Sequence, residues 1–162
     1  LFPAISPAKL QRYSSVCLFS AFGVFVAMEE EKFNRGMGLN AGADAVDADY
    51  LFFTDVDCYL TGTTTMEYGE LVTRQEGALF PIVQKEMCPN GIFRYYEWAG
   101  NGLSFVPKEL HHRAGGFPEY WTWGKEDTDY RQRLSDTGAC VIVEESPDIV
   151  HSWHSDKQRN TK

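Results

Sequence analysis

The stretch Tyr50-Leu-Phe-Phe-Thr-Asp-Val-Asp57 decides the fold, because an apolar run typical of a buried strand ends in two carboxylates separated by one residue. In open α/β sheets, ligands bind at the carboxyl ends of strands, which is where Asp55 and Asp57 are expected. Carboxylates at such a position hold a hard divalent cation that a diphosphate also ligates. An Asp-x-Asp taken alone is more often a solvated turn, so its interpretation depends on partners elsewhere in the chain.

The composition predicts one globular domain over residues 1–162. Hydrophobic residues make up 43% of the chain and aromatic residues 14%, which is enough for one sizeable core. The net charge of −8, without a cluster of lysines or arginines, argues against a nucleic acid or an anionic membrane as partner. We expect no membrane span and no signal peptide in this sequence. Because the chain begins at Leu1, we expect it to be part of a longer protein.

The four cysteines give no structural signal. Cys17, Cys58, Cys88 and Cys140 have neither the spacing of a zinc knuckle nor that of a disulfide framework. Their redox state therefore stays open.

Hydrophobic periodicity and capping signals predict helices alternating with strands. The predicted helices are residues 8–19, 33–43, 66–72 and 130–134, and the predicted strands are 23–28, 50–54, 78–83, 103–106 and 139–143. Pro81 predicts an edge position for the 78–83 strand, because proline cannot donate to a ladder. The three glycines of the 33–43 helix predict close packing against a sheet or a ligand.

Residues 115–129 hold the densest group of reactive side chains. Two tryptophans and a tyrosine lie close to Glu126, Asp127 and Asp129. Aromatic rings stack on the apolar face of a sugar while its hydroxyls donate to acids, so the whole cluster favours a sugar site. An acidic first helical turn beside core tryptophans would give the same pattern.

Two further groups could complete a site for a charged ligand. Arg35, near the start of a predicted helix, is the first cation placed to meet a phosphate. His151 and His154 are three residues apart, close enough to ligate one ion, and a neutral imidazole suits manganese or zinc better than magnesium. Two surface histidines are the alternative interpretation.

In their order and spacing, these motifs resemble those of the beta-1,4-galactosyltransferase family and its bacterial relatives, including chondroitin-polymerase-like enzymes. The resemblance rests on Phe33-Asn-Arg35, Asp55-Val-Asp57, Gly102 with Ser104, Gly116-Phe-Pro118, Trp121-Thr-Trp-Gly-Lys-Glu-Asp-Thr-Asp129 and His151-x-x-His154. It implies a GT-A type nucleotide-diphospho-sugar transferase fold, an α/β fold with a mixed, mostly parallel sheet flanked by helices. Two departures from the family are a lysine in place of a glycine at Lys125 and, as we expect, a missing first strand.

The resemblance implies an inverting, manganese-dependent transfer of a hexose, galactose or N-acetylgalactosamine, from a UDP-sugar to a saccharide hydroxyl. The implied catalytic residues are Asp127 and Glu126, the implied donor-binding residues are Phe33, Arg35, Asp55, Val56, Gly102 and Trp123, and the implied Mn²⁺ ligands are Asp57, His151 and His154. His151 stands where the galactosyltransferases commonly carry a methionine ligand.

Two other functions stay open at this point. One is a catalytically silent sugar- or nucleotide-binding module, and the other is an Asp/His metallohydrolase acting on phosphoesters. The donor sugar, the acceptor and the oligomeric state are open as well. The resemblance implies a cytoplasmic enzyme of polysaccharide biosynthesis for a bacterial chain, which the glycine-rich sequence favours, and a Golgi enzyme for a eukaryotic one.

Overall fold

The fold is described here from a computed structural model, whose described residues are 17–20, 23–26, 34–95, 102–121 and 124–154. Phe33 and Trp123, two of the predicted donor-binding residues, lie outside these ranges. So does most of the predicted 8–19 helix. The prediction of a helix is wrong for the last of these residues, because Cys17–Ser20 is a β-strand that pairs with the strand following it.

Eight strands and four helices follow one another in the described residues. In chain order they are β1 (Cys17–Ser20), β2 (Gly23–Val26), α1 (Arg35–Ala45), β3 (Tyr50–Phe53), β4 (Cys58–Leu60), α2 (Thr64–Arg74), β5 (Ala78–Met87), β6 (Phe93–Tyr95), β7 (Ser104–Pro107), α3 (Lys108–Arg113), α4 (Glu126–Asp136) and β8 (Val141–Ser152). Among these elements, no helix combines the length and the apolarity that crossing a bilayer requires.

Six strands form one mixed sheet in the order β3-β7-β5-β8-β4, with β6 added beside β5. The mixed sheet flanked by helices is as predicted. Its pairings are not mostly parallel, because among the described strands of this sheet only β5 and β8 pair in parallel. A parallel pair needs a long crossover, whereas β6 follows β5 through a short turn and β7 is inserted between β3 and β5 against the direction of both.

The predicted edge position of the Pro81 strand is wrong, since β5 lies inside the sheet between β7 and β8. The ladder between β5 and β7 is limited to the pair Leu79–Phe105. Pairing with β7 therefore ends before Pro81, and pairing with β6 on that side begins only at Lys85, so the proline interrupts neither ladder.

Helices cover both faces of the sheet and form a core on each. Neighbouring residues of a strand point to opposite faces, so one strand contributes to both cores. Phe80 and Val106 belong to the larger core, which α1, α3 and α4 complete. Leu79 and Phe105, one residue earlier on the same strands, pack with α2 in a second core. Each large side chain buried in this way contributes about 1.5–3 kcal/mol of transfer free energy. The strand ends are thereby held at fixed positions, where the polar residues described next are found.

Candidate functional site

Asp57, His151 and His154 meet at one end of the sheet although they are far apart in sequence. Asp57 Oδ2 lies 3.1 Å from His154 Nε2 and 3.4 Å from His151 Nε2. Strand pairing brings them together, because β4 runs antiparallel to β8 with Cys58 opposite His151. The Ser152 amide also donates to the Asp57 carbonyl over 2.7 Å. This group is called the ion cluster below.

The ion cluster fits a divalent transition metal. Its three candidate ligand atoms all lie within 4.8 Å of one another. Neighbouring ligands of an octahedral ion with bonds of about 2.1 Å lie about 3 Å apart, close to the two distances given above. One carboxylate with two imidazoles is a donor set suited to manganese, zinc or iron rather than to calcium or magnesium. The Asp57 side chain is 31% exposed, so a ligand could reach the ion from solvent.

A second cluster is organised by Arg35. Its Nη1 lies 2.5 Å from Asp127 Oδ1 and 3.7 Å from Glu126 Oε1. Its Nη2 donates to Asp55 Oδ1 over 2.8 Å and to the Gly102 carbonyl over 2.9 Å. One guanidinium thus joins the end of β3, the start of α4 and the segment that enters β7. This group is called the arginine cluster below.

The charges of the arginine cluster alter its proton affinities. Burial raises the pKa of Asp127, Arg35 opposes that rise, and the neighbouring Glu126 and Asp55 add to it. The net effect is an Asp127 carboxyl with a pKa above its usual value. For Arg35, burial acts to lower the pKa, but Asp127 and Asp55 outweigh it and the net shift is upward. Arg35 is therefore always charged, and Asp127 is a stronger base than an ordinary aspartate.

Glu126 has an unsatisfied oxygen within this cluster. Its side chain is 8% exposed. Its Oε2 atom is buried and has no hydrogen-bond partner among the described residues. Such groups are rare in folded proteins, because leaving a buried acceptor unpaired costs about 1–3 kcal/mol. A hydroxyl-bearing ligand would supply the missing donor.

Local backbone geometry explains how α1 presents Arg35. Asn34 caps the helix by accepting a hydrogen bond from the Met37 amide over 2.9 Å. A Cβ on Gly36 would lie 2.1 Å from the Pro118 carbonyl oxygen, so only glycine allows this approach. Gly36 thus packs closely, but against a loop rather than against the predicted sheet or ligand. Gly42 does not pack against the sheet, because a Cβ there would meet no protein atom within 4 Å.

The start of α4 is set by two consecutive residues in the left-handed region. Gly124 has φ 92° and Lys125 has φ 76°. The turn that they form places Glu126 and Asp127 in the first helical turn, where the helix dipole favours negative charge. Asp129 lies in the same helical turn but has a different partner. It accepts a hydrogen bond from the Tyr120 hydroxyl over 2.7 Å.

Two predicted donor residues lie between or beside the clusters. Val56 is fully exposed between Asp55 of the arginine cluster and Asp57 of the ion cluster. A Cβ on Gly102 would lie 2.6 Å from Asp55 Oδ2, so a larger residue there would displace the carboxylate that Arg35 holds. The two clusters are therefore consecutive along one short turn, with an open surface between them.

Sequence reasoning missed Glu86, which is 2% exposed and lies behind His151. Its Oε1 is 3.1 Å from His151 Nδ1, and its other oxygen pairs with Arg94. The predicted strand ended at Val83, whereas β5 continues to Met87 across a register shift between Val83 and Lys85. The available signal was an acidic residue shortly after an apolar strand. The polar residues at the register shift made that strand look as if it ended at Val83.

Comparison with known proteins shows which families this chain resembles. The family model described as N-terminal domain of galactosyltransferase matches residues 87–154. Beta-1,4-galactosyltransferase 2 of Cricetulus griseus is 33% identical over 129 residues, which cover 74% of this chain and 33% of that protein. Chondroitin sulfate N-acetylgalactosaminyltransferase 2 of Mus musculus is 25% identical over 147 residues, which cover 77% of this chain and 27% of that protein. The chain thus spans about a quarter to a third of the length of these relatives.

Solved structures agree in fold. The catalytic domain of Drosophila beta-1,4-galactosyltransferase 7, in complex with xylobiose, matches with a TM-score of 0.55 and 23% identity, over 81% of this chain and 56% of that chain. A mutant of the Drosophila enzyme in complex with manganese, UDP-Gal and xylobiose matches equally well. The chain therefore has the GT-A type fold of a galactosyltransferase catalytic domain, and its sequence is similar to those of the beta-1,4-galactosyltransferases and the chondroitin sulfate N-acetylgalactosaminyltransferases.

Proposed function

We propose that this chain is the catalytic core of a manganese-dependent, inverting glycosyltransferase, which moves a hexose from a UDP-sugar to a saccharide hydroxyl. Galactose and N-acetylgalactosamine are the sugars proposed, after the activities in the names of the relatives. The observation that carries the proposal is the convergence of Asp57, His151 and His154, with ligand atoms within 4.8 Å of one another. The arginine cluster, which contains both proposed catalytic acids, begins two residues before Asp57.

The ion cluster would hold the donor by its diphosphate. A divalent cation bound there neutralises the negative charge that grows on a departing diphosphate. The proposal for manganese is supported by the donor set, and by the manganese and UDP-Gal bound to the mutant Drosophila relative. Asp55 and the exposed Val56 are proposed to contact the nucleotide at the edge of this cluster.

Asp127 is proposed as the general base. Its raised pKa suits it to take the proton of the acceptor hydroxyl while that oxygen forms a bond to the anomeric carbon. The bond to the diphosphate breaks on the opposite face, and its electron pair leaves with UDP. General-base assistance of this kind is worth about a hundred- to ten-thousand-fold in rate.

Glu126 and Arg35 are proposed to position the donor. The unsatisfied Glu126 Oε2 is suited to accept from a sugar hydroxyl, because a buried acceptor gains most from a new donor. Arg35 and Gly102 line the same region through their mutual hydrogen bond. Phe33 and Trp123 are proposed donor contacts on the strength of the motif alone.

A catalytically silent nucleotide-sugar-binding module is the second candidate. It is favoured by the ion pair between Arg35 Nη1 and Asp127 Oδ1, which are 2.5 Å apart. In this pair, the carboxylate proposed as the base already has a partner. It predicts metal-dependent UDP binding without transfer. An Asp/His metallohydrolase would instead release phosphate from simple phosphoesters without any acceptor sugar.

Calorimetric titration of UDP into the full-length protein, with and without Mn²⁺, tests the shared premise. We expect binding that requires the metal and that Asp57→Asn weakens strongly. A panel of UDP-sugars with saccharide acceptors, followed by mass detection of the product, then identifies the transfer.

Asp127→Asn separates the two candidates, because it removes the base but keeps the shape of the side chain. We expect UDP affinity to be retained and transfer to fall at least a hundredfold. Asp129→Asn is the matched control, since Asp129 lies in the same helical turn but contacts Tyr120. Metal-independent UDP binding, or equal transfer by the Asp127 variant and wild type, would refute the enzyme proposal.

A further inference from the structure

The side chain of Glu86 lies on the inner side of the ion cluster. Glu86 Oε1 is 3.1 Å from His151 Nδ1, and His151 Nε2 is 3.4 Å from Asp57 Oδ2. The two nitrogens of one imidazole therefore face two different carboxylates. Glu86 is only 2% exposed, and a buried carboxylate is costly unless it has partners. Its partners are His151 on one oxygen and Arg94 on the other.

The sheet aligns these residues in a single row. Glu86 is paired with Arg94 of β6 on one side and with His151 of β8 on the other. His151 is in turn opposite Cys58 of β4, the residue after Asp57. The row begins just beyond the register shift between Val83 and Lys85. Such irregularities are frequent next to functional sites, because they turn a side chain to a new direction.

We propose that Glu86 is a positioning residue of the ion cluster. Its carboxylate accepts the Nδ1–H of His151, which leaves Nε2 without a proton and directs that lone pair at the cation. Arg94 holds the second oxygen of Glu86, so that the carboxylate is fixed before the metal arrives. This inference rests on the proposed metal site and adds Glu86 and Arg94 to it.

The chemistry of metal-bound histidines supports this assignment. A neutral imidazole has one N–H, and the group that accepts it decides which nitrogen ligates. Carboxylates commonly take that role behind a metal-bound histidine, and their removal typically costs ten- to a hundredfold in metal affinity. If Glu86 served only to pair Arg94 within the sheet, its replacement would change unfolding but would leave metal binding unaltered.

The first measurement uses the wild-type protein at pH 8 without metal. The ¹⁵N resonances of the His151 ring report which nitrogen carries the proton. We expect the proton on Nδ1 and an unprotonated Nε2. A proton on Nε2 would overturn the inference without any need for a variant.

The second measurement is the affinity for Mn²⁺ in the absence of UDP. The free ion is quantified by its electron paramagnetic resonance signal. We expect Glu86→Gln, which keeps the volume of the side chain, to weaken Mn²⁺ binding by ten- to a hundredfold. Arg94→Met, at the exposed end of the row, is expected to weaken it in the same direction. Glu70→Gln is the matched control, since Glu70 also pairs with an arginine but on the surface of α2.

The outcomes separate the two proposals. If wild type does not bind Mn²⁺, the metal site fails and the positioning role fails with it. If wild type binds and Glu86→Gln binds equally well, only the positioning role is overturned. If Glu86→Gln does not fold, the ring resonances of wild-type His151 decide the question.

Discussion

Replacing Lys125 by glycine is expected to stabilise this protein. Lys125 has φ 76° and ψ −22°, the left-handed region, and its side chain is exposed. Holding an L-residue there costs about 1–2 kcal/mol, which glycine avoids. Glycine loses about 0.4–1 kcal/mol of this gain because it makes the unfolded chain more flexible. The net expectation is a gain of about 0.5–1 kcal/mol in the free energy of unfolding, or about 2 °C in Tm for a domain of this size.

Urea unfolding of wild type, Lys125→Gly and Lys125→Ala measures this effect. Alanine removes the same charge and the same long side chain but keeps the Cβ that makes the left-handed region unfavourable. We therefore expect the gain for glycine and none for alanine. Equal stabilisation by both residues would show that the charge of Lys125, rather than its backbone conformation, is responsible, and a loss with glycine would refute the reasoning entirely.

Three further predictions concern buried or crowded positions. Burial lowers the pKa of His111 to about 4 from an unfolded value near 6.5, so its contribution to stability is complete above pH 6.5 and is lost as the pH falls towards 4. The free energy of unfolding, measured with urea, should fall by about 2 kcal/mol between pH 7 and pH 5 because of this group. We expect His111→Gln to abolish this pH dependence and the control His112→Gln to retain it. Gly102→Ala places a Cβ 2.6 Å from Asp55 Oδ2 and should displace that carboxylate, so calorimetry in Mn²⁺ should show UDP bound about tenfold more weakly. Unchanged affinity would show that the position of the Asp55 carboxylate does not matter for binding. Burial, reinforced by the neighbouring aspartates, raises the pKa of Cys58 to about 12. Iodoacetamide at pH 8 should therefore label Cys58 only in urea, as measured by peptide mass spectrometry, and rapid labelling of the folded protein would contradict this environment.

Local signals explain which elements could be predicted from the sequence. The cap of α1 depends on Asn34 and an amide three residues later, so the start of that helix is encoded within one turn. The strand Tyr50–Phe53 was found because its apolar run is bounded by polar residues. Both features depend on neighbours in the chain. For the same reason, the residues of both clusters could be proposed before their positions were known.

Strand order and direction could not be predicted, because they depend on partners distant in the sequence. Nothing near Pro81 indicates that pairing with β7 stops at Leu79, so a proline inside the sheet was unexpected. Glu86 was missed for a related reason. Its burial results from a register shift against β8, and that shift is a property of two strands together.

The row that crosses β6, β5, β8 and β4 has a thermodynamic consequence. Candidate metal ligands that lie on or directly beside paired strands lose conformational freedom when the protein folds, so little of that entropy loss is left for the binding of the ion. Preorganisation of this kind favours tight capture with small rearrangement. The arginine cluster differs in that Arg35 and Asp127 come from the first turns of α1 and α4, so helix packing as well as strand pairing fixes their positions.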